Sequence, residues 1–461
     1  MSVRRSSLFL TVDLLWQGAE LIADDCSLII PTPSYFVAKT QPDYPVAPSY
    51  DTLGTRLGAT DLHGCPLHQG LGRRSGDRMR ILQSLLVGIA MLGMAGSVAA
   101  QTKPPLPAEQ VSVNRLPAQG PHWVYIFDEA LNNEIDARVV LFDADSHRTL
   151  GQIDVGYWAN IALSPDGKTT AAVTTYWSRG SRGIRTDVIE FTDNATLSVS
   201  GEVVLQPKRL QGPITPFNAS FSPDQALFYV ANLTPASSIT PVDLRQKTLL
   251  PEIDTDGCVL AMATGLRQVS SLCESGRLLS VTLNEAGHET ARALSEPFFD
   301  VDKDPVFVQG VQHGSQLWFV SFLGDIYGVN FATGAAHFDA VWPLVSPALR
   351  GQWRPGGTQT IAVQPYTQRL YVAMHKGGEG THKIGGSEVW AFDLKTHRRV
   401  GRFLISPQLG AVGALQVSQD ADPRLYVATD RSNFLVLDPA TGKILHVEPK
   451  IAQSPWYLFN P

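Results

Sequence analysis

Apolar and polar positions alternate in short runs along residues 121–461, and one pattern returns at a near-constant interval. A strand-like run ends on a small polar residue and is followed by a turn and a second strand. Seven copies occur: Val139–Asp143, Val188–Thr192, Ser238–Asp243, Leu278–Thr282, Ile326–Asn330, Val389–Asp393 and Phe434–Asp438. Between Asp143 and Asp438 the mean spacing is about 49 residues, the period of a strand-rich repeat that buries its faces only by stacking on its neighbours. A second element precedes several copies: Ile161-Ala162-Leu163-Ser164-Pro165-Asp166, Phe221-Ser222-Pro223-Asp224 and Val417-Ser418-Gln419-Asp420 are each a strand running into a tight turn. Asp suits such turns because its carboxylate accepts backbone N–H groups ahead of it, and Gly442 in Asp438–Lys443 supplies a left-handed residue. No helical 3.6-residue period persists between these strands. The pattern predicts an all-β, seven-bladed β-propeller of four-stranded antiparallel blades over residues 121–461. The apolar run Trp456–Phe459 has no following unit, and Trp123–Phe127 begins a unit that lacks its innermost strand. Pairing the N- and C-terminal strands in one blade removes two open sheet edges.

The beginning of the chain has a different pattern. Arg73, Arg74, Arg78 and Arg80 precede an apolar stretch from Ile81 to Met94, and Ser97-Val98-Ala99-Ala100 follows it. Basic region, short apolar region and small residues come in the order of a secretory signal, so residues 79–100 read as a signal peptide cleaved after Ala100. The apolar run is too short to span a bilayer comfortably. Residues 1–78 then read as a non-native or disordered upstream extension, with Met79 as the true start, and residues 101–120 read as an N-terminal arm.

Composition narrows the function. Charged residues make up 17% of the 461-residue chain, with 39 Gly and 31 Pro, which suits a turn-rich globular protein. The net charge of −6 offers no basic footprint for nucleic acid or an anionic membrane. Cys26 and Cys65 precede the cleavage site, leaving Cys258 and Cys273 in the mature chain. An even pair in an exported protein points to a disulfide, and two free buried thiols are the alternative.

No nucleophile elbow, phosphate loop, dinucleotide fingerprint or HExxH motif is present, so no catalytic residue is assigned. The glycine-rich stretch Met374–Glu388 carries His375, Glu379 and His382, but glycine linkers preorganise metal ligands poorly. No metal site is therefore expected, and a partner-docking loop is the better reading. Trp353-Arg354-Pro355-Gly356-Gly357 offers an aromatic and a guanidinium that suit an interface, and a solvent-facing loop capped by a buried Trp is an equal alternative. Arg179, Arg182 and Arg185 read as a solvated hairpin, with Arg185 paired to a nearby carboxylate. Asn160, Asn218 and His313 are too scattered for the axial metal of a propeller hydrolase.

Several of these stretches resemble the heavy subunit of quinoprotein amine dehydrogenases, the methylamine and aromatic amine dehydrogenase heavy chain family. The similar segments are Ser178–Asp187, the Cys258/Cys273 pair, Trp353–Gly357, His382-Lys383 before the Glu388–Asp393 strand, and Val417–Asp420. The resemblance implies a periplasmic assembly of two heavy and two light subunits. It also implies that tryptophan tryptophylquinone sits on the light subunit and that a cupredoxin accepts the electrons. The heavy chain would carry no cofactor, seat the light subunit and shape the substrate entrance. By position the entrance loop falls on Ala130-Leu131-Asn132-Asn133, with Leu131 and Asn132 as the expected entrance residues; the family often has an aromatic there, and this chain offers only Leu131. Trp353, Arg354, Glu379, His382 and Lys383 are the expected light-subunit contacts. A stand-alone extracytoplasmic propeller that binds a ligand or protein is the alternative.

The leader reading has a direct check: N-terminal sequencing of the exported protein should begin near Gln101, and residues before Met79 should be absent.

Overall fold

The computed structural model describes residue 112 and residues 114–461. The expected upstream extension, the signal peptide and the first part of the N-terminal arm lie outside the described residues. Among the described residues no helix is long and apolar enough to cross a membrane.

The described chain is all-β, and its strands form antiparallel ladders in sheets of mostly sequential neighbours, a propeller-like arrangement. Each of the seven recurring runs falls in a strand: Ala137–Asp143, Arg185–Asp193, Ser238–Asp243, Leu278–Leu283, Asp325–Asn330, Glu388–Asp393 and Phe434–Leu437. One element was not foreseen. Strand Arg148–Leu163 is 16 residues long. Its first part pairs with Ala137–Asp143, and its last part pairs with Thr169–Trp177 after a bulge between Tyr157 and Asn160. Two four-stranded groups therefore share one continuous strand.

The turns repeat in atomic detail. Ser164 Oγ donates to Asp166 and accepts the Thr169 N–H; Ser222 does the same with Asp224 and Leu227, and Ser418 with Asp420 and Arg424. At the other hairpins Asp143, Asp193, Asp243, Asp393 and Asp438 each accept backbone N–H groups two or three residues ahead. Four residues after each of these aspartates the backbone turns left-handed, at His147, Leu197, Lys247, His397 and Gly442. Only the last is glycine, so at the other four the carboxylate bonds offset a conformation that L-residues disfavour.

Alternation along each strand sends one apolar row to each neighbouring sheet. Trp123, Tyr125, Phe127, Val139 and Leu141 pack with Ile153, Ile161 and Ala172. Val124, Ile126, Val140 and Phe142 pack with Ala414, Tyr426, Phe434 and Val436 near the end of the chain. Burying each such side chain contributes roughly 1.5–3 kcal/mol. The last strand, Pro455–Phe459, pairs with Trp123–Asp128. Its seat is fixed further by Gln359, which donates to Leu458 O and accepts from Leu458 N–H, and by Tyr457 Oη donating to Ile214 O.

A disulfide joins Cys258 and Cys273, which lie opposite each other on adjacent strands. Replacing both by Ala should lower stability to denaturant by about 3 kcal/mol, the loop-closure value for about 15 residues. A non-reducing peptide map should recover the linked pair, and two freely alkylated thiols would contradict it.

Candidate functional site

In these antiparallel four-stranded units, the connection between the second and third strands leaves from the same face as the crossing to the next sheet. The 129–136 loop, the 178–184 hairpin and the 377–387 loop are connections of the first kind, and the 344–360 segment is a crossing. Topology therefore gathers on one face every residue assigned above to the entrance or to the partner interface.

Leu131 is 42% exposed, and Asn132 is exposed beside it. Their loop is anchored from below. Asp128 accepts the N–H groups of Ala130, Gln453 and Ser454, and Leu131 N–H reaches Ser454 Oγ. Ala130 is buried at φ +49°, and Trp158, in the bulge of the long strand, stands at φ +44°. Two non-glycine residues in this region cost on the order of 1–3 kcal/mol each, so the surrounding bonds hold the backbone there. Trp158 Nε1 donates to Glu134 Oε2 at 2.9 Å, tying the loop to the neighbouring sheet.

Beneath the loop lies a buried polar cluster that pattern reading missed. Arg209 donates to the carbonyls of Tyr157 and Trp158 and to Thr175 Oγ1, and Thr175 donates to Asp187. Arg185 forks onto Asp187 at 2.7 and 2.8 Å, as the sequence suggested. Burial pulls Arg209 down to about 10. Glu129 is 1% exposed, and neither of its carboxylate oxygens has a hydrogen-bond partner among the described residues. Burial, with Glu134 and Asp128 adding to it and Arg209 opposing, pushes Glu129 up to about 9. It is therefore a neutral acid at pH 7. The sequence shows only an Asp-Glu pair closing an apolar strand, which does not reveal that the second member is buried without a partner.

The second group of expected residues divides by depth. Glu379 and Lys383 are exposed, and His382 is half-buried and stacked on Phe322 with ring centroids 4.1 Å apart. Trp353 and Arg354, expected as exposed light-subunit contacts, instead occupy the strand Trp353–Pro355 and are buried, at 5% and 8% exposure, so Trp353 follows the alternative of a buried Trp. The reason is local. Lys376 and Arg402 lie over the Trp353 ring, and Trp353 packs on Trp390. Arg402 in turn pairs with Glu388. Burial alone would raise Glu388, but bonds from Arg402 and Trp390 more than offset it and hold the carboxyl below its usual range. Arg354 donates to backbone carbonyls of Arg350 and Trp353. Trp353 thus supports the face from within, and alanine there removes core packing worth about 3–5 kcal/mol.

His375, Glu379 and His382 do not converge: His375 Nε2 bonds Thr381 Oγ1, and no group of three or more metal-competent side chains occurs among the described residues. Burial, followed by Arg354 and His382, holds His375 below the usual imidazole range. Asn160 and Asn218, apart in sequence, meet through a 2.9 Å hydrogen bond, while His313 lies exposed at the end of a strand.

Glu129 carries a pH prediction. Its folded value lies above the unfolded one, so the stability it favours is fully present below about pH 4.5 and is lost as pH rises towards about 9. Across that window it should contribute a decline of about 1.4 kcal/mol per pH unit. Urea unfolding of wild type and Glu129→Gln between pH 5 and 9 should show the variant lacking this slope and gaining most at the alkaline end; parallel profiles would contradict it.

Residues 121–458 match the family described as methylamine dehydrogenase heavy chain (MADH). The methylamine dehydrogenase heavy chain of Methylophilus methylotrophus is 24% identical over 358 residues, covering 76% of this chain and 86% of that protein. Its counterpart from Paracoccus versutus is 27% identical over 356 residues, covering 76% and 81%. Among solved structures, a proposed 6-phosphogluconolactonase from Bacteroides uniformis aligns with a TM-score of 0.51 at 12% identity, covering 73% of this chain and 98% of that one, a likeness of fold alone. With residues 121–458 matched by the family and three quarters of its length aligned with its members, the chain belongs to the methylamine dehydrogenase heavy chain family.

Proposed function

We propose that this chain is the heavy, cofactor-free subunit of a periplasmic dehydrogenase that oxidises primary amines to aldehyde and ammonia. The match to the heavy-chain family over residues 121–458 carries this reading. The fold assigned to it is a seven-bladed ring closed by strand Pro455–Phe459. Supporting this are the pairing of that strand with Trp123–Asp128 and the packing of the first strands against Ala414, Tyr426 and Phe434.

Amine oxidation of this kind needs an electrophilic carbonyl to capture the amine and a base to take a proton from the adjacent carbon. No side chain of this chain is such an electrophile, so it belongs to a second chain. In this proposal tryptophan tryptophylquinone on a light subunit supplies it, and a cupredoxin accepts the electrons. The assembly is two heavy and two light subunits, exported through the signal at residues 79–100. The heavy chain's part is shape: the exposed Leu131 and Asn132 line the substrate entrance, while Glu379, His382 and Lys383 contact the light subunit above the buried Trp353 and Arg354. An interface of this class buries on the order of 1,000 Å² or more.

Purified alone, the chain should show no amine-dependent dye reduction. Combined with a candidate light subunit, it should gain that activity, and the paired variant Glu379→Lys/Lys383→Glu should weaken assembly at least tenfold while its unfolding curve stays unchanged. Activity of the chain alone, or failure to bind any light subunit, refutes the reading and favours a stand-alone binding propeller.

A further inference from the structure

A cleft of about 620 Å³ opens on the same face, between the strand pair Ala137–Asp143 and Arg148–Leu163 on one side and the 431–432 turn and 450–453 segment on the other. Three cationic side chains line it: Arg138, Arg431 and Lys450. The chain as a whole carries a net charge of −6, so this concentration is a local property. Among the described residues Arg431 and Lys450 have no ion-pair or hydrogen-bond partner, and both are exposed.

Arg138 is only partly neutralised. Its Nε lies 3.5 Å from Asp128 and its Nη2 lies 3.6 Å from Asp136, and the shielded Nε makes no hydrogen bond. Asp128, the one carboxylate lining the cleft, already accepts three backbone N–H bonds, from Ala130, Gln453 and Ser454. Asp128 and Asp136 offset Arg138 in part, and Arg431 and Lys450, which pair with neither, leave the cleft with an excess of positive charge. Asn132 and Gln152 add amide groups to its wall.

The arrangement is also held in place. Ser432, next to Arg431, has φ +62°, and Lys450 has φ +54°, so each of the two unpaired cations issues from or beside a left-handed turn residue. Ser432 Oγ donates to Gln453 O, fastening one turn to the other. Guanidinium groups fork onto planar or tetrahedral oxyanions, and an ammonium adds a point charge.

We propose that this cleft binds an oxyanion, the carboxylate or phosphate group of a small molecule. Arg431 and Lys450 supply charge, Arg138 adds its partly exposed guanidinium to the wall, and Asn132 supplies an amide donor. Because Asn132 also belongs to the 129–136 loop, an occupied cleft steadies that loop. The inference goes beyond the amine-oxidising reading and does not depend on it, since this chain alone supplies every named group.

Calorimetric titration of the purified chain with inorganic phosphate, and separately with acetate, tests it at an ionic strength held constant with chloride. At least one of the two should bind saturably. Arg431→Gln/Lys450→Gln should raise the dissociation constant at least tenfold, and Lys450→Gln alone should raise it by a smaller factor. Arg182→Gln, which removes a cation of the distant hairpin, should leave it unchanged. Saturation by phosphate alone or by acetate alone identifies which oxyanion the cleft takes. Absence of saturable binding by both, or binding that the double variant retains, overturns the proposal.

Discussion

Every β-sheet ends in a strand whose outer N–H and C=O groups need a partner, and a chain built from successive sheets carries that problem at its two ends. Here the final strand, Pro455–Phe459, pairs with Trp123–Asp128, the first strand of the described chain. Much of the loop face hangs on that junction. Asp128 ends the strand that receives the C-terminus, and its carboxylate takes backbone N–H groups from Gln453 and Ser454 as well as from Ala130. The same few residues thus anchor the C-terminal strand, set the base of the 129–136 loop and form one wall of the cationic cleft.

The strands and turns were legible because their causes are local. Alternation with a period of two marks a half-buried strand wherever it sits, and an Asp at the start of a hairpin makes its bonds within three residues. Asp143, Asp393 and Asp438 do so as the pattern suggests. Arg185 and Asp187 are two residues apart, and their pairing was readable for the same reason. What escaped depends on distant parts of the chain. Trp353, beside Pro and two glycines, reads equally as an interface anchor or as a buried cap, and Trp390 and Arg402, from two later strands, decide for the second by enclosing it. Glu129 looks like an ordinary surface acid, and its burial is decided by neighbours such as Arg209, 80 positions later. The double use of Arg148–Leu163 is hidden because a strand crossing between sheets keeps the same alternation throughout.

The polar interior is concentrated under the loop face. Arg209, Thr175, Asp187 and the carbonyls of Tyr157 and Trp158 satisfy one another, whereas Glu129 among them stays neutral and unpaired. Satisfied buried networks specify one arrangement of the groups they join, and an unsatisfied member weakens the fold. Under the proposed function such a foundation holds the loops above it in position while a second protein and a substrate approach. The exposed Leu131 and Asn132, proposed for the entrance, can then change in size with little change in what lies underneath.

The strand Arg148–Leu163 also has a mechanical consequence. Where two sheets are joined by a flexible connector, one can tilt or slide against the other by bending that connector. A backbone that runs unbroken through both makes them behave as a single beam, since relative sliding would have to stretch covalent geometry or shear two ladders of hydrogen bonds together. The loop face is therefore unevenly compliant. It is stiffest over the first two sheets, beneath Leu131 and Trp158, and more pliable where separate strands are joined by loops.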